Sequence, residues 1–196
     1  GIPQKRERVF IVAFRSDLGI KWNFPEETHS QDALIYDKYV SGEYWDRVDV
    51  PRRKTVPDRL RERVARLTIL PPSGLPWKTV REALKGLPDP VREGSGKFEN
   101  HVHNPGARSY PGHTGSPMDE PAKTLKAGVH GVPGGENTLA YGNGQVRYFT
   151  VREAARIQTF PDDYVFDSSW TESMRQIGNA VPVDLAELVA RDVAKH

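Results

Sequence analysis

A change of composition in the middle of this chain limits its folding more than any other feature. From about Leu87 to Gly144 the sequence is dominated by Gly, Pro, His, Ser and Asn, whereas the segments on either side carry regular apolar patterns. Glycine and proline at that density break long helices and central strands, so surface loops and short strands are expected there. A loop stretch of this length inside a compact chain is functional or disordered. Phrases such as GARSYPGHTG and GVHGVPGGEN hold too many special turn residues for a random linker. The flanks must therefore supply most of the core. With 37% apolar residues in 196 positions they can do so, as one large domain or two small ones.

In the first flank, Arg8-Val9-Phe10-Ile11-Val12-Ala13-Phe14 is an apolar, β-branched and aromatic run that reads as a buried strand. Ala33, Leu34, Tyr36, Tyr39 and Val40 then fall at helical spacings, predicting a helix from Ser30 to Trp45 with Thr28, His29 or Ser30 as its cap. Arg52, Arg53, Lys54, Arg59, Arg61, Arg63 and Arg66 surround Asp58 and Glu62, with a helix expected from Pro57 to about Leu67. The five residues Thr-Val-Arg-Glu-Ala occur twice, at Thr79–Ala83 and Thr150–Ala154. Each fits a capping box, in which the threonine hydroxyl serves the third helical N–H and the glutamate reaches back. A third box is expected at Ser169 and Glu172, opening a helix through Arg175 that stops at Gly178. Beyond Pro182, Leu185, Leu188, Val189 and Val193 share one face of a terminal amphipathic helix.

Several classes are set aside by composition. Twenty-eight basic against 26 acidic residues leave a formal charge of +2, so bulk charge alone demands no nucleic-acid partner and distribution matters more. No run reaches the length of a membrane span and no signal-like start is present, so a cytoplasmic, non-membrane protein is expected. There is no cysteine, which excludes disulfides, thiolate metal sites and a thiol nucleophile within these residues. His101, His103, His113 and His130 match no standard ligand spacing, and no metal is expected. The chain opens on Gly1-Ile2-Pro3 instead of Met, as a fragment or processed subunit would.

GIPQKRERVFIVAF at the start, RYFTVREAARIQTFPDDY, and MRQIGNAVPV resemble, in order and position, the eighth, ninth and tenth motifs of DNA cytosine-5 methyltransferases. Thr124-Leu125 in PAKTL resembles the threonine-leucine pair of that family's target-recognition domain. Three long motifs in the correct order form a specific signal, where GNAVPV alone would not.

On the residues alone, Arg6 and Arg8 alternate along an extended backbone and so point the same way, able to face one ligand or to pair with nearby carboxylates. The resemblance implies that Arg8 donates to the carbonyl oxygen of an extruded cytosine and that Arg6 supports a phosphate or a neighbouring acid. Gly178 and Asn179 read as a helix stop with a positive φ at the glycine. The resemblance implies instead that Asn179 and Val181 touch S-adenosylmethionine. Arg152, Glu153, Arg156 and Gln158 read as a structural helix, with Glu153 as a cap and not a general base. Phe160 to Tyr164 read as a packed turn.

A complete family member also carries a glycine-rich cofactor turn, a Pro-Cys nucleophile and a Glu-Asn-Val acid, none of which occurs here. In the implied mechanism a thiolate adds to carbon 6 of a flipped cytosine, a glutamic acid assists at ring nitrogen 3, and carbon 5 takes the methyl group. The resemblance therefore implies an α/β fold that holds the remainder of a doubly wound, cofactor-binding sheet plus a small irregular β-rich target-recognition domain. Residues 1–48 would belong to the catalytic domain, 49–144 to recognition, and 145–196 to the ninth and tenth motifs packing back on the catalytic part. Double-stranded DNA and an N-terminal half bearing the nucleophile are the implied partners. Candidate DNA contacts are Arg108, Thr124, Lys126, Gly134 and Gly135, with Lys97, Lys123 and the loops 109–116 and 126–136. The Arg52–Arg66 run is either a phosphate-binding face or a solvated helix. The alternative function is a sequence-specific DNA-binding module without catalysis.

Overall fold

A computed structural model of the chain describes residues 1–53, 55–127 and 137–196. Up to residue 28 the only regular element is a 3-10 turn at Ser16–Leu18. The run Arg8–Phe14, expected as a buried strand, is neither paired nor buried. Val9 and Ile11 are 88% and 89% exposed, while Phe10, Val12 and Phe14 are half-buried. The period of two belongs to a strand, but a strand needs a neighbour to satisfy its backbone, and no described segment lies beside this one.

His29–Ser30 (β1) pairs in parallel with Leu75–Pro76 (β2). Helix α1, Gln31–Tyr36, is capped by Ser30, whose hydroxyl accepts from the Ala33 N–H. The expected single helix to Trp45 is broken into three. A widened π turn covers Asp37–Ser41, Gly42 takes φ 90, and α2 runs over Glu43–Arg47. The π turn carries Lys38 into the interior, where its ammonium donates to the Asp119 carbonyl at 2.7 Å and to Glu120 Oε1 at 2.9 Å.

The next helix begins as a 3-10 turn at Asp58–Leu60 and continues as α3, Arg61–Ile69, past the expected end. Much of the basic run is tied down internally. Arg63 pairs with Asp32, Arg61 with Asp58, and Arg53 with Asp119, while Arg52 donates to the Val40 carbonyl. Lys54 lies outside the described residues. Helices α4 (Val80–Ala83) and α5 (Val151–Ile157) both start in complete capping boxes, from Thr79 and Thr150.

Three short strands form the second sheet. Ser116–Pro117 (β3) lies parallel to Thr138–Ala140 (β4), which pairs antiparallel with Val146–Tyr148 (β5), placing Leu139 opposite Arg147. Helix α6 spans Trp170–Asn179 and α7 spans Val183–Val193. The Ser169 hydroxyl caps α6, but Glu172 turns to Arg175 and leaves the third box half-made. The main core joins Val80, Leu84, Leu125 and Leu139 to Phe149, Ala154, Ile157, Met174 and Ile177. Residues on both sides of position 144 thus share one interior, and that position falls in the turn of the β4–β5 hairpin. The described residues form a mixed α/β structure whose sheets have two and three strands. The middle segment, expected as loops and short strands in an irregular β-rich part, holds two- and three-residue strand pairings between irregular stretches among its described residues. No helix among the described residues is long and apolar enough to cross a membrane.

Asp119 knots the middle segment to the first helices. It accepts from the Tyr44 hydroxyl at 2.9 Å and from Arg81 Nε at 2.6 Å, with Arg53 at 2.9 Å. Burial works to raise its pKa, but the Arg81 bond and charge, then Tyr44 and Arg53, outweigh it and hold the carboxyl below the usual aspartate range. A group depressed on folding contributes stability above its unfolded pKa, and that contribution is lost as pH falls through the folded value. Urea midpoints are therefore expected to fall steeply below about pH 4, and Asp119→Asn is expected to lower stability at pH 7 by about 1–3 kcal/mol while flattening the acid limb. An acid limb of unchanged slope in that variant would remove Asp119 from the account.

Candidate functional site

Three segments far apart in sequence close on one point. Residues 3–5 bridge Ala122 in parallel, with Lys5 N–H on the Ala122 carbonyl at 2.8 Å and Ala122 N–H on the Pro3 carbonyl at 2.9 Å. Gln4, buried, sits at the centre. Its amide oxygen accepts from the Leu125 N–H at 3.2 Å, and its amide nitrogen donates to Gln158 Oε1 at 3.2 Å. Gln158 passes the chain on, donating to the Ile177 carbonyl at 2.7 Å. Arg6 closes the ring, with 2.7 Å to the Gly178 carbonyl and 3.2 Å to the Leu125 carbonyl. Burial, then the neighbouring Arg8 charge, lowers its pKa below the ordinary arginine value, yet a guanidinium remains protonated at neutral pH.

Gly178 has a steric role here. It lies inside α6, which runs one residue further than expected and is capped at Ala180, and it is absent from the positive-φ residues. A Cβ at this position would stand 2.6 Å from the Ala127 nitrogen and 2.6 Å from the Lys126 carbonyl carbon. The glycine lets the helix and the 124–127 segment touch backbone to backbone. Asn137 fixes that segment, accepting from the Lys126 N–H at 2.9 Å and donating to its carbonyl at 3.3 Å.

Thr124 spends its hydroxyl on the Lys5 carbonyl at 2.7 Å, tying the middle segment to the N-terminal motif. Arg8 is exposed and folds back on the Glu7 carbonyl. Asn179 and Val181 stand exposed beyond the end of the buried Ile177–Gly178 pair, with Pro182 buried behind them. An amide beside an apolar side chain there offers both a polar and an apolar contact to a ligand. Arg108 is exposed on the segment leading to Tyr110. Gly134 and Gly135 lie outside the described residues, as does His130.

The ninth-motif helix is a framework. Arg152 is fully buried and donates to the carbonyls of Glu99, Pro161 and Tyr164 at 3.0, 3.0 and 2.7 Å. Glu153 takes both Nη donors of Arg147 at 2.6 Å while its Oε2 also receives the Thr150 N–H. Desolvation lowers the Arg147 pKa, and the bonds and charge of Glu153 more than reverse that, leaving it raised. Phe160, Tyr164 and Phe166 pack with centroids 4.9–5.4 Å apart. His101 is committed internally. Its Nε2 meets the Pro88 carbonyl, which can only accept, so Nε2 carries the proton and Nδ1 accepts from the Thr150 hydroxyl.

No pattern in the residues marks Gln4 and Gln158 as joints of the ring or Asn137 as a brace beside it, since each is one amide at a position without periodicity. The only available hint was their adjacency to the three motifs.

The three motif segments thus meet at a glycine-mediated backbone contact braced by Arg6, with Asn179 and Val181 exposed beside it. The family of C-5 cytosine-specific DNA methylases matches residues 1–195, and the chain belongs to that family. Among curated relatives, Type II methyltransferase M.Eco47II of Escherichia coli is 34% identical over 98% of this chain and 42% of its own length. Type II methyltransferase M.PspPI of Psychrobacter sp. (strain TA137) is 32% identical over 99% of this chain and 43% of its own. Type II methyltransferase M.NgoFVII of Neisseria gonorrhoeae is 31% identical over 96% and 46%. The chain thus spans about half the length of the curated relatives it matches.

Proposed function

We propose that this chain supplies the DNA-recognition and the cytosine- and cofactor-clamping part of an S-adenosylmethionine-dependent DNA cytosine-5 methyltransferase, corresponding to the C-terminal part of such enzymes. The observation that carries this reading is the ring of Gln4, Arg6, Leu125, Gln158 and Gly178, which unites the three motif segments in a chain that has no cysteine. The nucleophilic thiolate then comes from an N-terminal half. Residues 49–144 form the recognition part, and residues 1–48 and 145–196 complete the catalytic sheet of that half. The exposed apolar side chains of Val9 and Ile11, and of Leu188 on α7, are surface that this sheet would cover.

In this reading Arg8, exposed and next to the anchored Arg6, donates to the cytosine carbonyl oxygen. Arg6 holds the 125 and 178 backbones together and supports Arg8, and its phosphate contact is secondary. S-adenosylmethionine, when bound, supplies the methyl group. The exposed amide of Asn179 and the side chain of Val181 fit one edge of it, one polar and one apolar. Thr124, Lys126, Arg108, Gly134 and Gly135 contact duplex DNA, whose flipped base costs a few kcal/mol that such contacts offset. The relatives named above are Type II methyltransferases, and a restriction-modification role in the cytoplasm follows for the whole enzyme.

Complementation tests this. Labelled S-adenosylmethionine and mixed-sequence DNA are incubated with the 196-residue chain, with a complementary N-terminal half, and with both. Label should enter DNA only in the mixture. Transfer by the 196-residue chain alone would refute the reading, and a mixture that binds DNA without methylating it would favour the non-catalytic module.

A further inference from the structure

We propose that the cleft between residues 103–109 and the β4–β5 hairpin reads the edge of a guanine in duplex DNA, with Arg108 as the specificity-determining residue and Gln145 beside it. This rests on the recognition reading above and deepens it, naming the base and the side chains. The cleft has a volume of about 660 Å³ and is lined by His103, Arg108, Ser109, Tyr141, Gln145 and Arg147, together with small and apolar neighbours. Among the described residues, no carboxylate lines it. The charge of Arg147 is neutralised by the bidentate Glu153, whereas Arg108 is exposed and makes no ion pair among the described residues. The cleft therefore presents one uncompensated guanidinium.

Its opposite wall is the β4–β5 hairpin. The hairpin tip is held by Tyr141 N–H on the Gln145 carbonyl at 3.0 Å, and by Gln145 N–H on Asn143 Oδ1 at 3.1 Å. Gly142 and Gly144 take φ 86 and 83, conformations that side chains disfavour. Asn143 also donates to the Gln145 amide oxygen at 3.1 Å, which leaves the Gln145 NH2 group as a donor. A second observation points to a ligand in the cleft. His103 Nδ1 and Arg147 Nε, on two lining residues, are buried without a hydrogen-bond partner, and Arg147 is only 6% exposed. Native proteins rarely leave such groups unpaired, and a polar edge seated in the cleft, directly or through one water, relieves them.

The two arginines on this lining can only donate, so the matching base edge is one with adjacent acceptors. In the major groove that is guanine, whose O6 and N7 take an arginine bidentately, whereas adenine and cytosine present an amino donor there. A phosphate contact would draw on the charge alone, whereas here the guanidinium shares the cleft with the buried, unpaired nitrogens of His103 and Arg147.

The test is selection of a random duplex library by the full 196-residue chain, alone and with the complementary half, for the native sequence, Arg108→Ala, Arg108→Lys and Gln145→Ala. The native chain should enrich guanine at one position, and Arg108→Ala should lower that preference by about 5- to 150-fold, the discrimination of a good bidentate pair. Arg108→Lys should also lose it, because a point charge lacks the fork. If both variants keep the preference, or if Arg108→Ala weakens all sequences equally while Arg108→Lys binds normally, Arg108 is a phosphate contact and the proposal fails. Failure of the native chain to enrich guanine would also overturn it. Guanine selection without methylation in the complemented sample would count against the enzymatic reading alone, and methylation with unchanged base choice in Arg108→Ala would count against the cleft alone.

Discussion

Glu153→Ala is expected to lower the unfolding free energy by about 3–5 kcal/mol, because it strands Arg147 as a buried, unpaired cation. With side-chain exposures of 7% for Arg147 and 2% for Glu153, the stranded charge would be poorly hydrated. The same substitution also removes the carboxylate that caps the Thr150 N–H, a loss of up to about 2 kcal/mol by itself. The two effects share one side chain, so they are not simply additive. Against a typical total of about 5–15 kcal/mol, this single change removes a large fraction of the stability. Urea unfolding followed by far-UV circular dichroism measures it. Arg147→Met with Glu153→Leu should recover part of the loss, since replacing both partners by apolar groups removes the stranded charge. A Glu153→Ala loss below about 1 kcal/mol would show that the pair is hydrated in solution.

The second large effect is expected at Gly178→Ala, where two principles point in opposite directions. Helix propensity predicts a gain of about 1 kcal/mol for alanine over glycine in a helix. Sterics predict a loss, since the new Cβ would meet Lys126 and Ala127 backbone atoms at 2.6–2.7 Å. Backbone cannot swing aside as a flexible side chain can, so the 124–127 segment or the helix must move by several tenths of an ångström. The expected net is a loss of about 1–3 kcal/mol. The same shift would strain the Arg6 bonds to the Gly178 and Leu125 carbonyls, so complemented methyl transfer should fall by more than the stability change explains. An equally or more stable Gly178→Ala with full activity would mean that α6 and the 124–127 segment stand further apart in solution.

How much of this was legible in the sequence differs from element to element. Thr79 and Thr150 announced their capping boxes because such chemistry is local, with donor and acceptor three residues apart. Ser30 and Ser169 showed themselves as caps for the same reason. The structural character of the ninth-motif helix was also readable, although the carbonyls that Arg152 binds were not. Two elements misled. The Arg8–Phe14 run has the composition of a strand, but pairing is supplied by other backbone, and none of the described residues provides it. Gly178 carried the signature of a helix stop, yet its reason for being glycine is the Lys126–Ala127 backbone, which arrives from about fifty residues earlier.

The candidate site divides in the same way. Family membership, the absence of a thiol and the identity of Arg6, Arg8, Thr124, Asn179 and Val181 as residues of interest came from residue types in sequence order. That Arg6 ties two carbonyls while Arg8 stays exposed, that Gln4 and Gln158 form the joint between motifs, and that Arg108 faces a hairpin across a cleft were decided only by tertiary structure. Caps and turns depend on bonds a few residues long, and the sequence records both partners side by side. The bonds that join Gln4, Arg6, Leu125, Gln158, Ile177 and Gly178 span separations of 19 to 172 residues, and at such distances a side chain's partner is set by how the core packs.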